Sequence, residues 1–493
     1  MRNLLTLALL VSSITLRAEE PPNILFIAID DMNDWVGFLD GHPEAQTPNM
    51  DALAKKGINF TNAHCVSPAC SPSRNALLFG VEPFKSGLYP FYNQDGIPDE
   101  VLDRYTTLPQ FFKENGYDTF GAGKIHHGPD REKRDALEWT EFHQPPYDKL
   151  IYQTEKGYQQ GTSKKMAFCP TANPLEEHPD HKVASYGVDI LGRDHDKPFF
   201  LAVGIVKPHL AFVCPEEFFD LYDEQIEPPL IKADDHDDIP WVGRAMAKIT
   251  DDQRYRKDEA WNAVRRAYLA CISWADYNVG RVLDALAESP YADNTIVVLW
   301  SDHGYGMGEK RHFRKFSLWE ESTRVPFILW DTRDQDAPEG RECDDGASLI
   351  LVYRTLADLA GLNPPEYVDG VSVAPLLEDP DARIPYPCIT TWGRGNYTLR
   401  NRDWRYTRYF DGAEELYDHR SDPNEWTNLA GQEAHAEVKA ELAAQLPNRE
   451  TEAPLVREGI SLWNIVDADK PDLESTKKKW KQVNRDIYPL LGE

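Results

Sequence analysis

A cysteine at the head of a short apolar stretch is the first place where this sequence offers chemistry. Cys65 to Gly80 reads C-V-S-P-A-C-S-P-S-R-N-A-L-L-F-G. Pro72 favours a first helical turn, and the apolar run from Ala76 to Phe79 stops at Gly80, which predicts a short buried helix beginning just after Cys70. Unpaired N–H groups and the positive end of the helix dipole converge at such a terminus, an environment that holds anions and activates a thiol or its derivative. Arg74 lies one turn further on and faces the same side as Cys70. The same cysteine also reads as a buried small hydrophobe or half of a disulfide, so this stretch alone does not decide.

Four other stretches end in polar residues suited to a site. Asn23 to Ile29 runs into Asp30-Asp31, and Tyr117 to Phe120 leads through Gly121-Ala122-Gly123 to Lys124, His126 and His127. Pro198 to Val206 ends in Lys207-Pro208-His209, and Thr295 to Trp300 ends in Ser301-Asp302-His303-Gly304. An apolar run without alternation reads as a strand covered on both faces of a parallel sheet, and sites in such sheets form at the strands' carboxyl ends. Taken singly, an Asp pair such as Asp30-Asp31 more often caps a helix. Four such endings on one sheet edge instead predict a shared pocket holding Asp30, Asp31, Lys124, His126, His127, Lys207, His209, Asp302 and His303. Three carboxylates with an imidazole favour a hard divalent cation, and the oxygen-rich set suits calcium better than zinc, although a His ligand is uncommon for calcium.

The motif C-x-P-x-R over Cys70 to Arg74 resembles the core of the type I sulfatase signature, in which the Cys is oxidised to formylglycine and the aldehyde's hydrate is the nucleophile. The chain order Asp-Asp, C-x-P-x-R, G-x-G-K, K-P-H, S-D-H-G is similar to that family from Asp30 to Gly304. K-P-H, the pair D-H and the run L-Y-D-H-R-S-D-P-N-E-W-T-N-L over Leu416 to Leu429 look most like the iduronate-2-sulfatase branch and its bacterial relatives.

The resemblance implies an alkaline-phosphatase-like fold and hydrolysis of the sulfate ester of a sulfated carbohydrate by double displacement. It implies calcium held by Asp30, Asp31, Asp302, His303 and the formylglycine at position 70. A His near position 127 becomes the base for the hydrate, His209 the acid for the leaving oxygen, and Lys124 and Lys315 the partners of the sulfate oxygens. Arg74 is expected to orient formylglycine. His126 and His127 compete for one role, with His127 favoured by its longer spacing from the G-x-G-K lysine. Lys315 sits in the basic run Arg311 to Glu320, which without the resemblance reads as a solvated face. From the residues alone, Trp392, Arg394, Asn396 and Arg400 in the second domain are candidates for the pocket's rim, where they would read a sugar's carboxylate, although Trp and Arg are equally usual in contacts between domains. Two alternatives stand beside this reading: a phosphonate or phosphate ester hydrolase of the same superfamily, and a sulfated-glycan-binding protein whose Cys70 is never converted.

The elements that must position these residues follow. Strand–helix alternation up to about Pro375 predicts an α/β domain, a large mixed, mostly parallel sheet flanked by helices. Helices are expected over Thr47 to Gly57, Thr107 to Gly116 and about Asp258 to Glu288, the last with an apolar face of Ala263, Ala267, Ala270, Trp274, Tyr277, Val282 and Leu286. Asp130 to His181 and Asp234 to Asp252 read as polar excursions. Tyr397 to Arg400 and Trp404 to Tyr409 predict short antiparallel strands in a smaller C-terminal α+β domain, followed by a helix from about Ala434 to Leu446 and a charged tail beyond Pro454 that packs over the surface. The expected division is 1–18 leader, 19–375 catalytic domain and 376–493 C-terminal subdomain and tail.

Arg2, the apolar run Leu4 to Leu10 and Leu16-Arg17-Ala18 have the three parts of a secretory signal peptide, which predicts a secreted or periplasmic protein. The apolar core is too short to span a membrane, and none is expected later in the chain. Of seven cysteines, conversion of Cys70 leaves Cys65, Cys169, Cys214, Cys271, Cys343 and Cys388, an even remainder from which no pairing follows. The formal net charge of −29 is spread along the chain and argues against nucleic acid as a partner, but not against a local basic pocket. The partners implied are the sulfated carbohydrate and, during maturation, a formylglycine-generating enzyme.

Overall fold

The computed structural model describes residues 20–89, 91–92, 97, 99–127, 132–146, 158–159, 167–247, 249–448 and 460–461. The expected leader, parts of the excursion expected from Asp130 to His181 and the tail beyond Pro454, apart from 460–461, lie outside the described residues. Among the described residues no helix is long and apolar enough to cross a membrane.

One eight-stranded sheet organises the chain. Its strands are β1 (Asn23–Asp30), β2 (Ile58–Phe60), β3 (Asp118–Gly123), β4 (Glu141–His143), β5 (Phe199–Pro208), β6 (Thr295–Ser301), β7 (Phe327–Asp331) and β8 (Arg341–Cys343), in the spatial order β8-β2-β7-β6-β1-β5-β3-β4. Strand β7 runs antiparallel to both neighbours, and the other pairings are parallel. The four strands with polar endings are therefore consecutive neighbours, β6-β1-β5-β3, at the middle of the sheet, and their carboxyl ends share one edge.

Both faces of these strands are covered, which is why their sequences do not alternate. Ile24, Phe26 and Ala28 of β1 point into one core with helices α2 (Cys70–Phe79), α3 (Leu108–Glu114) and α6 (Leu351–Leu359). Leu25, Ile27 and Ile29 point into another with α1 (Pro48–Lys56), α4 (Pro179–Leu191) and α5 (Trp261–Glu288). The result is a three-layer helix–sheet–helix packing. Phe26 meets Phe200 and Trp300 across the two neighbouring strands with ring centroids 5.5 and 5.4 Å apart. Such aromatic pairs each add about 0.5–1.5 kcal/mol beyond burial.

Several boundaries differ from expectation for identifiable reasons. Gly121 to Gly123 belong to β3, with Gly123 paired to Gly204 of β5. A Cβ on Gly204 would stand 2.4 Å from the Lys124 carbonyl oxygen, so glycine is what lets the end of β3 close on β5. The helix expected from Asp258 starts at Trp261, because Glu259 takes φ 54° and separates it from a helix over Ile249–Lys257 within and beyond a stretch read as polar excursion. Its buried stripe runs through Val264, Tyr268, Cys271, Ala275 and Val279 as well as Ala267, Ala270, Trp274, Val282 and Leu286, whereas Ala263 is exposed and Tyr277 half-buried. Strand β7 was not expected at all.

The C-terminal region forms the expected antiparallel sheet, four strands in chain order: β9 (Ile389–Thr391), β10 (Tyr397–Arg400), β11 (Trp404–Arg408) and β12 (Glu414–Asp418). Helix α7 (Ala436–Ala443) is shorter than expected and brings Leu442 and Val438 against Ile389, Leu399, Tyr406 and Leu416. All seven cysteines are buried.

Candidate active site

The strand ends place their side chains around Cys70. Helix α2 begins at Cys70 and ends at Gly80, whose φ of 65° makes the stop that the sequence announces. At the end of β1, the pairing register shifts between Ile29 and Asp30, and Asp31 takes φ 61°. Successive residues of a regular strand face opposite sides. This break lets both carboxylates reach the same place. Oxygens of Asp30 and Asp31, Cys70 Sγ and a His303 ring nitrogen all lie within 4.8 Å of one another.

Cys70 Sγ is 2.9 Å from Lys315 Nζ, 3.2 Å from His303 Nε2 and 3.6 Å from Asp31 Oδ1, and His127 is also hydrogen-bonded to it. Burial alone would push the thiol up, but Lys124, Lys315, His303 and the His127 hydrogen bond hold it well below its ordinary value. Burial works against the charged form of Lys315, yet Asp31, 2.7 Å from Nζ, and Cys70 raise it, so the ammonium stays charged. The same holds for Lys124, which pairs with Asp30 Oδ2. Burial pushes the Asp30 carboxyl up, as does the Cys70 thiolate, and Lys124, His209 and Arg74 outweigh both to leave it below the usual carboxylate range. Burial would lower His303, but Asp302 carries it up to about 9.

Arg74 does not do what its helical spacing suggests. Its five N–H donors meet five acceptors: Asp302 Oδ2 at 2.7 Å, the carbonyls of Lys124 and Ile125 at 2.6 and 3.0 Å, that of Ile29 at 3.4 Å, and Asp30 Oδ1 at 3.3 Å. The fully buried guanidinium thus ties the ends of β1, β3 and β6 together and orients carboxylates, not residue 70. Asp302 is held from both sides, since its Oδ1 accepts the Asp31 N–H at 3.0 Å and lies 3.5 Å from His303 Nε2.

The two adjacent histidines separate cleanly. His126 Nε2 lies 2.8 Å from Glu138 Oε2, away from Cys70, and Glu138 also accepts from Thr107 Oγ1 at 2.8 Å. His127 is the one on Cys70. His209 stands at the open side with a third of its side chain exposed, its Nε2 3.9 Å from Asp31 Oδ2. Lys207, expected in the pocket, turns back: its Nζ donates to the carbonyls of His209 and Ala211 and braces that loop. Trp392, expected at the rim, is fully buried and stacks on Phe316 with centroids 5.4 Å apart. Arg394 beside it is half-buried. Asn396 is buried with its Nδ2 on the Trp392 carbonyl, and Arg400 pairs with Glu320.

Sequence reading missed three supports. Tyr268 of α5 donates to the Asp31 carbonyl at 2.8 Å and accepts from Asn33 N at 3.0 Å, clamping the turn after β1. Asp180, in the first turn of α4, accepts the amides of Val206 and Lys207 at 2.9 and 3.0 Å and fixes the end of β5. Glu138 holds His126. An Asp in a first helical turn was the only signal available among them.

The residues present fit a hard divalent cation. Asp31 Oδ1, Asp302 Oδ1 and Cys70 Sγ all converge on His303 Nε2, at 3.2, 3.5 and 3.2 Å, and the anionic surplus they create is balanced here by protonated His303, Lys124 and Lys315. A dry, convergent set of carboxylates with an imidazole is a donor arrangement that a cation would neutralise.

A mixed, mostly parallel sheet flanked by helices is an alkaline-phosphatase-like fold, here with a residue at a helix N-terminus on which cationic side chains converge. The family model described as Sulfatase matches residues 22–362, and one described as N-sulphoglucosamine sulphohydrolase, C-terminal, matches residues 308–452. A sulfatase of Formosa agariphila is 36% identical, over 83% of this chain and 83% of its own. Iduronate 2-sulfatase of Mus musculus is 32% identical over 71% of this chain and 70% of its own. The crystal structure of the phosphonate monoester hydrolase of Agrobacterium radiobacter superposes with a TM-score of 0.69 at 21% identity, covering 86% of this chain and 94% of that one, which shows the shared fold. The chain belongs to the sulfatase family and is a sulfuric ester hydrolase.

Proposed function

We propose that this protein is an exported sulfatase that removes sulfate from a sulfated carbohydrate, a sulfated uronic acid being the substrate class closest to its iduronate-2-sulfatase relative. The observation that carries this reading is the side chain of residue 70, held at a helix N-terminus with His127, His303 and Lys315 all upon it. Formylglycine, formed from Cys70 by a formylglycine-generating enzyme, would supply a hydrated aldehyde whose hydroxyl is the nucleophile. Asp30, Asp31, Asp302 and His303 would hold a calcium ion, which would polarise that nucleophile and the sulfate oxygens.

The chain's own residues do the rest. Lys124 and Lys315 hold charge on the sulfate oxygens in a site dry enough for that charge to count. His127 takes the proton from the oxygen at position 70, and His209, on the open side, gives one to the leaving oxygen. Arg74 keeps Asp30 and Asp302 aimed at the centre. The unit 19–375 carries this chemistry, 376–493 is a C-terminal subdomain and tail, and the leader at 1–18 takes the protein to the periplasm or outside the cell.

Mass spectrometry of the peptide containing Cys70, from protein made with a formylglycine-generating enzyme, is expected to show the side chain converted from CH2–SH to an aldehyde. Aryl sulfate should be cleaved faster than aryl phosphate, and a screen of defined sulfated saccharides should find a sulfated uronic acid among the best substrates. Full activity with an unmodified Cys70 thiol, or a preference for the phosphate ester, would overturn the reading.

The separation of the two histidines gives a second expected result. His127→Ala should lower kcat by about 10²–10⁴-fold, the usual worth of a positioned proton acceptor. His126→Ala should change kcat far less but lower stability by about 1–3 kcal/mol, because it takes the imidazole from Oε2 of the buried Glu138 carboxyl and leaves Thr107 on Oε1. Steady-state kinetics and denaturant titration of the two variants check this; the opposite ranking in kcat would exchange their roles.

A further inference from the structure

Lys315 does not ride on a helix or a long strand. The segment Gly308 to Trp319 that carries it turns repeatedly, with φ of 123° at Gly308, 46° at Lys310, 51° at Arg311, 77° at Arg314 and 86° at Phe316. Among the described residues eight that are not glycine have positive φ; four of them lie in this segment, and two more are Asp31 and Glu425. Such backbone is disfavoured for any residue with a Cβ and persists only where the surroundings over-determine it.

The surroundings here come largely from the C-terminal region. Phe316 stacks on Trp392 at an interplanar angle of 27°. The Lys310 ammonium is buried between the rings of Trp319 and Tyr417, and it bonds Asp235 at 3.1 Å and the Glu425 carbonyl. Glu320, which closes the segment, is gripped by Arg400 and Arg405. Arg405 is fully buried and reaches Glu320, the Leu318 carbonyl at 3.2 Å, the hydroxyls of Thr323 and Thr398 at 3.1 and 3.2 Å, and Glu425, which His419 also meets at 3.0 Å. Glu320, His419 and Glu425 bring ligand atoms close enough for a cation. Both carboxylates, however, already face arginine, so the cluster is an ion-paired clamp.

We infer that the C-terminal sheet is the template that holds Lys315 on residue 70, with Glu425 acting through Arg405 and Glu320, and Trp392 acting through Phe316, as positioning residues for sulfate ester hydrolysis. This rests on the reading in which Lys315 holds the sulfate oxygens. An ammonium 2.9 Å from Cys70 Sγ, the atom whose place the nucleophilic oxygen would take, has little tolerance: a misplacement of about 1 Å is enough to lower a rate roughly 10²-fold.

The test uses full-length protein with Glu425→Gln and, in case that variant fails to fold, Phe316→Leu, which leaves the ionic network intact. Each is expected to lower kcat/KM on an aryl sulfate by about 10–100-fold. In Lys315→Ala background neither substitution should slow the enzyme further, because nothing remains to be positioned. Amide hydrogen exchange across 308–320 should quicken in both variants while β1 and β6 keep their protection. Effects that multiply with Lys315→Ala, or exchange over 308–320 that stays as in the parent, would overturn the inference. If Lys315→Ala itself keeps the parent rate, the role given to Lys315 falls, and with it the positioning inference; unchanged exchange with a slow Lys315→Ala variant overturns the inference alone.

Discussion

Cys70→Ser is expected to fold as the parent does and to lose turnover by about 10⁴-fold or more, the scale on which a nucleophile acting as a unit with its base is lost. Folding should survive because the exchange is small: Cys70 is 1% exposed, and a hydroxyl of similar size can accept from Lys315 and His127, as the sulfur does. Turnover should not survive, because a serine that has taken up sulfate has no second hydroxyl on the same carbon with which to expel it. The variant should therefore still bind the sulfated substrate, and its thermal transition should match that of the parent. Parent-like turnover in Cys70→Ser would end the formylglycine reading while leaving family and fold untouched.

Asp31→Asn should lose bound divalent metal and lower kcat by at least about 10²–10³-fold, the worth of one preorganised electrostatic partner. Asp31 Oδ1 lies 2.7 Å from Lys315 Nζ and 3.2 Å from His303 Nε2. An amide there keeps the shape but removes the charge that a cation needs and that Lys315 and His303 face. Elemental analysis of the purified protein decides the matter independently of rate. Full metal occupancy in Asp31→Asn, with activity lost, would move the cation elsewhere.

What the sequence made legible was the part in which one local pattern has one physical meaning. Uninterrupted apolar runs at 23–29, 198–206 and 295–300 read as strands covered on both faces, and the structure places them so, with their endings on one edge. The short run before Gly121 was enough for β3, though not for its length, which depends on how closely Gly204 lets it approach. What stayed hidden depends on partners far along the chain. His126 and His127 are equivalent until Glu138 takes one of them. Arg74 faces Cys70 by helical geometry alone, yet the carboxylates of Asp30 and Asp302 together with three backbone carbonyls take up its N–H donors. Trp392 and Arg400 looked like rim residues because Trp and Arg serve both surfaces and contacts between subdomains, and only Phe316 and Glu320 show which. The register of α5 slipped past Ala263 because an alanine-rich helix marks its buried stripe weakly.

The strand order has a consequence in time. Strand β1 leaves the ribosome early, but its two sheet neighbours are β5 and β6, and Lys315 comes later still. Domains are synthesised at roughly 5–20 residues per second, so on the order of 10–45 s separate the appearance of Cys70 from that of Thr295. In the finished molecule Cys70 is sealed beneath His303, Lys315 and the C-terminal sheet. If Cys70 is converted to formylglycine as proposed, the enzyme that oxidises the C-x-P-x-R stretch would have a deadline, set by how long the second half of the sheet takes to arrive. On that reading, a change that speeds closure around residue 70 would yield a well-folded protein whose Cys70 stays a thiol.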